Sequence, residues 1–105
     1  MKHSVEFARQ ARSDLFEIYT WVAADSVLEA ARWISTLEAS IRSLDVSPER
    51  CPLAPENGEL EGEELRNLIV GTYRVIFQVR GSTVHVVHIR HGSRRSATPG
   101  ELGRG

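Results

Sequence analysis

A chain of 105 residues with one cysteine has room for a single domain and a modest core, and it excludes an intramolecular disulfide framework. No apolar run approaches the length of a membrane span and no leader pattern opens the chain, so no membrane role is expected and the expected compartment is the cytoplasm. The net charge of -1 hides a polarity: residues 1–65 hold six Lys plus Arg against thirteen Asp plus Glu, and residues 66–105 hold seven Arg against Glu101 alone.

Such an asymmetry is expected of a basic working surface on an acidic support, or of an acidic surface that repels wrong partners. Among the basic residues only Lys2 is a lysine. Guanidinium groups suit bidentate carboxylate or phosphate contacts better than ammonium groups do, and GC-rich codon usage produces the same bias.

In chain order, His3 to Phe7 alternate and predict a short first strand that joins a later sheet. From Ala8 to about Ala24, Ala11, Leu15, Ile18 and Val22 recur at three-four spacing, which predicts an amphipathic helix with Arg9, Arg12, Asp14 and Glu17 on its other side. Asp25 and Ser26 break it, and Ser26 with Glu29 forms a capping-box pattern opening a second helix. Its stripe runs through Val27, Ala30, Ile34, Leu37, Ile41 and Leu44, and two helices joined so tightly pack as an antiparallel hairpin. Trp21 and Trp33 lie off these stripes; each either fills an end of the hairpin seam or belongs to an exposed patch awaiting a partner.

Ser47 to Glu64 is broken by Pro48, Pro52, Pro55 and Gly58 and ends acidic, the pattern of a solvated loop. Cys51, beside Arg50, reads as a small apolar contact rather than a nucleophile. Leu65–Val70, Tyr73–Arg80 and Thr83–His91 then read as a three-stranded antiparallel meander, turning at Gly71-Thr72 and Gly81-Ser82. A two-residue turn at Gly81-Ser82 sets Val79 against Val84, Phe77 against Val86, Val75 against His88 and Tyr73 against Arg90 on one face. The other face then carries Arg74, Ile76, Gln78, Arg80, Thr83, His85, Val87, Ile89 and His91. That half-cationic composition fits either a solvated outer face or a surface for an anionic partner. The expected domain is 1–95, with 96–105 a flexible tail.

His85, His88 and His91 cannot share a metal, because a strand alternates their faces and leaves His85 and His91 roughly 20 Å apart. No Gly-rich phosphate loop, HExxH or nucleophile elbow is present. What remains is the cluster Arg74, Arg80, His85 and His91, with Arg94 and Arg95 just beyond. Arginine with imidazole or carboxylate is able to cleave RNA without a metal, and equally able simply to hold a partner.

The order strand, helical hairpin, proline-broken loop and meander resembles the RelE/ParE superfamily of toxins from type II toxin-antitoxin modules. The resemblance is carried by ARQARSDLFEIYTWVA, SPERCP, LRNLIVGTYRVIFQV and VHVVHIRHGSRR, which together span nearly the whole chain to Arg95. It implies an α+β fold in which the strand, hairpin and meander form one RelE/ParE-like sheet domain.

The superfamily implies two activities. RelE-like members are ribosome-dependent endoribonucleases that cleave mRNA in the A site; Arg74 matches the arginine of their G-Y-R block, here Gly71-Thr72-Tyr73-Arg74. Leu65 and Asn67 stand where that type carries its paired lysines, and no aromatic follows Phe77. Other relatives use Glu, Arg and His, a set that Glu63 or Glu64 with Arg74 and His91 imitates. ParE-like members, the better resemblance, have the long hairpin and an H-G-x-R-R ending, matched by His91, Gly92, Arg94 and Arg95. They are implied to stabilise plasmids and to inhibit DNA gyrase on its cleaved DNA without being enzymes. On this reading Arg74, Arg80, His91, Arg94 and Arg95 bind the target, no metal or cofactor is implied, and a cognate antitoxin neutralises the chain and carries the pair to promoter DNA. A detoxified corepressor is a third possibility.

Overall fold

The computed structural model describes residues 2–55 and 64–91. Strand β1 (Ser4–Phe7) is followed by helices α1 (Arg9–Asp25) and α2 (Val27–Arg42), then by strands β2 (Arg66–Val70), β3 (Tyr73–Arg80) and β4 (Thr83–His91). The sheet order is β1-β4-β3-β2, with β1 parallel to β4 and the other pairs antiparallel. This is the α+β arrangement expected from the pattern, with the first strand added to the far edge of the meander.

One residue joins the helices. Ser26 is extended, at φ -157°; its N–H closes α1 on the Val22 carbonyl and its Oγ accepts the Glu29 N–H at 3.1 Å to open α2. The Glu29 carboxylate turns to Arg32 instead of completing the capping box. Both meander turns begin with glycine at positive φ, 59° at Gly71 and 58° at Gly81, while Thr72 and Ser82 stay negative. This is the type II′ pattern, whose twist matches that of the flanking strands.

The hairpin lies over one sheet face. Ala11, Leu37, Ile41 and Leu44 from the helical side meet Val75, Phe77, Val84, Val86 and Ile89 from the sheet in one buried cluster. Cys51 belongs to this core as a small contact, and its burial pushes the thiol pKa up against the lowering charges of Arg50 and Arg66. Trp33 packs partly buried against that cluster, its ring 4.8 Å from Tyr73, whereas Trp21 is 63% exposed. Among the described residues, no helix is long and apolar enough to cross a membrane.

The proline-rich segment is pinned by arginine. Arg50 donates to the Val46 and Ser47 carbonyls and to Ser43 Oγ, closing a turn in which Ser47 takes the left-handed conformation at φ 48°. Arg66 donates to the Cys51 carbonyl at 2.7 Å and the Glu49 carbonyl at 3.3 Å, and pairs with Glu64 at 3.2 Å. Leu53 bridges to Arg66, so the segment covers the start of β2's outer edge.

Candidate functional site

The sheet face turned away from the hairpin is set by one irregularity. From the Gly81-Ser82 turn the register runs as expected through Val79 opposite Val84 and Phe77 opposite Val86, then slips by one residue. Ile76 lies opposite His88, Val75 opposite Ile89, Arg74 opposite Arg90 and Tyr73 opposite His91. The expected pairings of Val75 with His88 and Tyr73 with Arg90 are therefore corrected. Val87 is the extra residue of a β-bulge, and a one-residue slip exchanges the two faces of everything beyond it.

Two consequences follow for the site. Ile89, expected outside, is 3% exposed in the core opposite Val75. His91 leaves the arginine face: it stands opposite Tyr73 on the hairpin side, its ring 5.0 Å from the tyrosine ring and nearly perpendicular to it. In exchange, His88 and Arg90 come to the outer face. The signal was present in the sequence: apolar residues occupy Val84 and Val86, then Val87, then Ile89, so the alternation changes phase at the paired valines.

The outer face is consequently more cationic at the β4 end than simple alternation implies. Arg74 and Arg90 are directly opposed like charges, an arrangement that destabilises a sheet by itself. Arg74 is buried at 8% exposure and donates to Asn67 Oδ1 at 3.1 Å. Gln78 is 3% exposed, and its Oε1 has no hydrogen-bond partner among the described residues. Ile76 is buried at the centre with Ala54, Leu65 and Val87 around it. This is a packed polar layer, not a uniformly solvated face. Arg80 is exposed at the turn end of β3, and His85 faces Glu6 of β1 at 3.9 Å.

At the opposite edge β1 is too short to cover β4, and Asp14 of α1 takes over. Its Oδ2 accepts the Ile89 N–H at 2.9 Å and lies 3.6 Å from His88 Nδ1, while Oδ1 accepts from Gln10 at 2.8 Å. Burial works to raise the Asp14 pKa, but the contacts with His88, the Ile89 amide and Gln10 outweigh it and hold the carboxyl below its ordinary range. No motif announced Asp14; it read as part of the helix's polar side.

Of the expected target-binding set, Arg74 and Arg80 share the outer face, His91 lies on the other, and Arg94 and Arg95 fall outside the described residues. The nuclease set of Glu64, Arg74 and His91 is divided, because the register places Arg74 and His91 on opposite faces and Arg66 engages Glu64. Glu63 also falls outside the described residues. Among the described residues, no three His, Cys, Asp or Glu side chains gather into a metal-binding group.

The comparisons with known proteins agree with this architecture. No curated protein matches the sequence significantly. Among solved structures, a chain of the chromosomal ParDE toxin-antitoxin system from P. aeruginosa superposes with a TM-score of 0.68 at 20% identity, over 86% of this chain and 96% of that one. A chain of the RelBE2 toxin-antitoxin complex from Mycobacterium tuberculosis gives 0.56 at 24% identity, over 87% and 99%. One from the archaeal RelE-RelB complex of Pyrococcus horikoshii OT3 gives 0.54 at 17%, over 90% and 99%. At these identities the superpositions establish the fold. The family model for the ParE toxin of the type II toxin-antitoxin system, parDE, matches residues 5–96, and the chain therefore belongs to the ParE toxin family.

Proposed function

We propose that this toxin acts as a non-enzymatic inhibitor of DNA gyrase, in the cytoplasm, and is neutralised by a cognate antitoxin. The observation that carries this reading is the match to the ParE family over residues 5–96. The divided Glu64, Arg74 and His91 set supports it, since RNA cleavage needs a proton-transfer group and a phosphate-stabilising cation at one reacting centre. The sequence also lacks an aromatic after Phe77 to stack on an mRNA base.

The antitoxin is a partner of the kind named for the ParDE, RelBE2 and RelE-RelB assemblies. Phe16, Trp21, Val27 and Leu28 leave large apolar side chains exposed on the helical hairpin, a surface suited to an amphipathic antitoxin segment. Promoter DNA is then reached through the antitoxin.

Induced expression in a growing bacterium tests the reading. Gyrase inhibition predicts trapped gyrase-DNA breaks and an SOS response with intact messages. Truncated messages without DNA damage would assign the chain to the ribosome-dependent nucleases instead, and normal growth would make it a detoxified corepressor.

A further inference from the structure

We propose that Asp14 and His88 form a proton-tightened clasp between α1 and β4, which grips the end of β4 more firmly as the medium turns mildly acidic. The clasp belongs to the chain's hold on itself, so it stands whichever target the toxin has. Three observations carry it.

The first is a strand edge left uncovered. β1 runs beside β4 only from Thr83 to Val86, and the Ala8 N–H closes on the Val86 carbonyl as the chain turns into α1. β4 continues to His91. Its backbone groups beyond Val86 on that side need another partner. α1 supplies one: Asp14 Oδ2 accepts the Ile89 N–H at 2.9 Å, in the place of a strand carbonyl. Gln10, one turn earlier, donates to Oδ1 at 2.8 Å and orients the carboxylate.

The second is a titratable neighbour on the same oxygen. His88 Nδ1 lies 3.6 Å from Asp14 Oδ2, with the aspartate side chain 14% exposed and the histidine side chain 39% exposed. A sheltered carboxylate gains more from an adjacent cation than one in open water does, and the imidazole is open enough to exchange protons with solvent. Histidine changes charge between about pH 5 and 8, so the oxygen that holds the Ile89 N–H has a neutral neighbour at one end of that range and a cation at the other.

The third is the charge around the imidazole. From α1, Asp14 is the carboxylate in contact, and Glu17 is the next acidic residue along the helix. From β1, Glu6 faces His85 at 3.9 Å. From β3, Ile76 lies opposite His88 with Arg74 two positions away, and on β4 Arg90 follows His88 on the same face. The two arginines oppose a charge on His88, but Arg74 is directed to Asn67, whereas Asp14 touches the ring. His88 in turn helps to hold the Asp14 carboxyl below its ordinary range.

Stability from a histidine that gains a carboxylate on folding is present on the acid side of its titration and is lost as pH rises through it. Below the ordinary aspartate value of about 4, Asp14 itself takes a proton and both contacts go. The clasp is tightest between these limits. β4 leads from His91 into Gly92–Arg95 of the sequence, so the clasp sets how firmly the strand entering that segment is anchored.

Amide hydrogen exchange of the full chain, followed by NMR from about pH 7.5 to 5, tests the clasp. Expressed as a protection factor, the Ile89 N–H should gain roughly two- to fivefold relative to the amides of Val75 and Phe77 as pH falls. Those two lie in β3, between β2 and β4, and report the global fold in every variant, which separates a loss confined to Ile89 from a loss of folding. His88→Gln should abolish the gain while leaving the Ile89 N–H protected, and Asp14→Asn should abolish it too. His85→Gln, which removes the Glu6 pair, should leave the gain in place. Ile89 protection that is flat with pH in the parent, or a gain that persists in His88→Gln, overturns the proposal and reduces Asp14 to a constant cap on the strand edge.

Discussion

Arg66 shows how an arginine-rich sequence divides its cations between structure and surface. Its donors go to the Cys51 and Glu49 carbonyls and to Glu64, so they satisfy a loop that prolines prevent from forming regular backbone hydrogen bonds. Arg66→Ala should lower stability by about 1 kcal/mol in urea melts, because it removes the side-chain donor from the part-buried Cys51 carbonyl. A lysine at 66 should recover only part of this, since one ammonium cannot copy the planar fork. Asp14 makes the matching contribution at the other edge. Its carboxyl sits below the ordinary value in the folded state, so its stabilising effect is complete above the unfolded pKa and is lost as pH falls through the folded one. Urea melts of the parent and Asp14→Asn should therefore differ near neutrality and converge as pH falls below the ordinary aspartate value of about 4. A difference independent of pH would refute the role given to the carboxylate.

At the scale of elements, local chemistry was legible and its long-range consequence was not. The two turns, the Ser26 cap and the buried stripe positions Ala11, Ala30, Leu37, Ile41 and Leu44 follow from residues within a few positions of one another, and the structure forms them where the pattern places them, whereas Val27, expected in the second helix's stripe, is 65% exposed at its first turn. The bulge depends on a strand-to-strand offset, which the sequence marks only by the adjacent Val86 and Val87. Simple alternation therefore sent Ile89 outward and His91 to the arginine face, and it missed His88 and Arg90. Asp14 was invisible for a similar reason: its importance arises from an open strand edge contributed by residues 75 positions away. The bulge makes a direct prediction. Ile89→Ala should cost about 2–5 kcal/mol in urea melts, the range for a core aliphatic, because Ile89 faces Val75. Arg90→Ala, one residue on, should cost much less. Equal effects would mean that the strand continues without the slip.

The whole molecule presents two unlike surfaces on opposite sides of one sheet. The hairpin offers Phe16, Trp21, Val27 and Leu28 to an apolar partner, and the outer sheet face offers a cationic layer. On the proposed reading, the antitoxin segment docks on the hairpin, the side of the sheet away from Arg74 and Arg90. Leu28→Glu should weaken antitoxin binding at least tenfold by titration calorimetry while leaving the melting temperature near that of the parent, since Leu28 is already exposed. Unchanged affinity would move the docking surface elsewhere. Purified components decide whether this ParE-family fold acts on gyrase or on RNA. Gyrase, supercoiled plasmid, ATP and the toxin should yield linear DNA when the reaction is stopped with detergent and protease, and added antitoxin should abolish it. Plasmid left free of breaks, together with messages cut in a translating extract, would contradict the account.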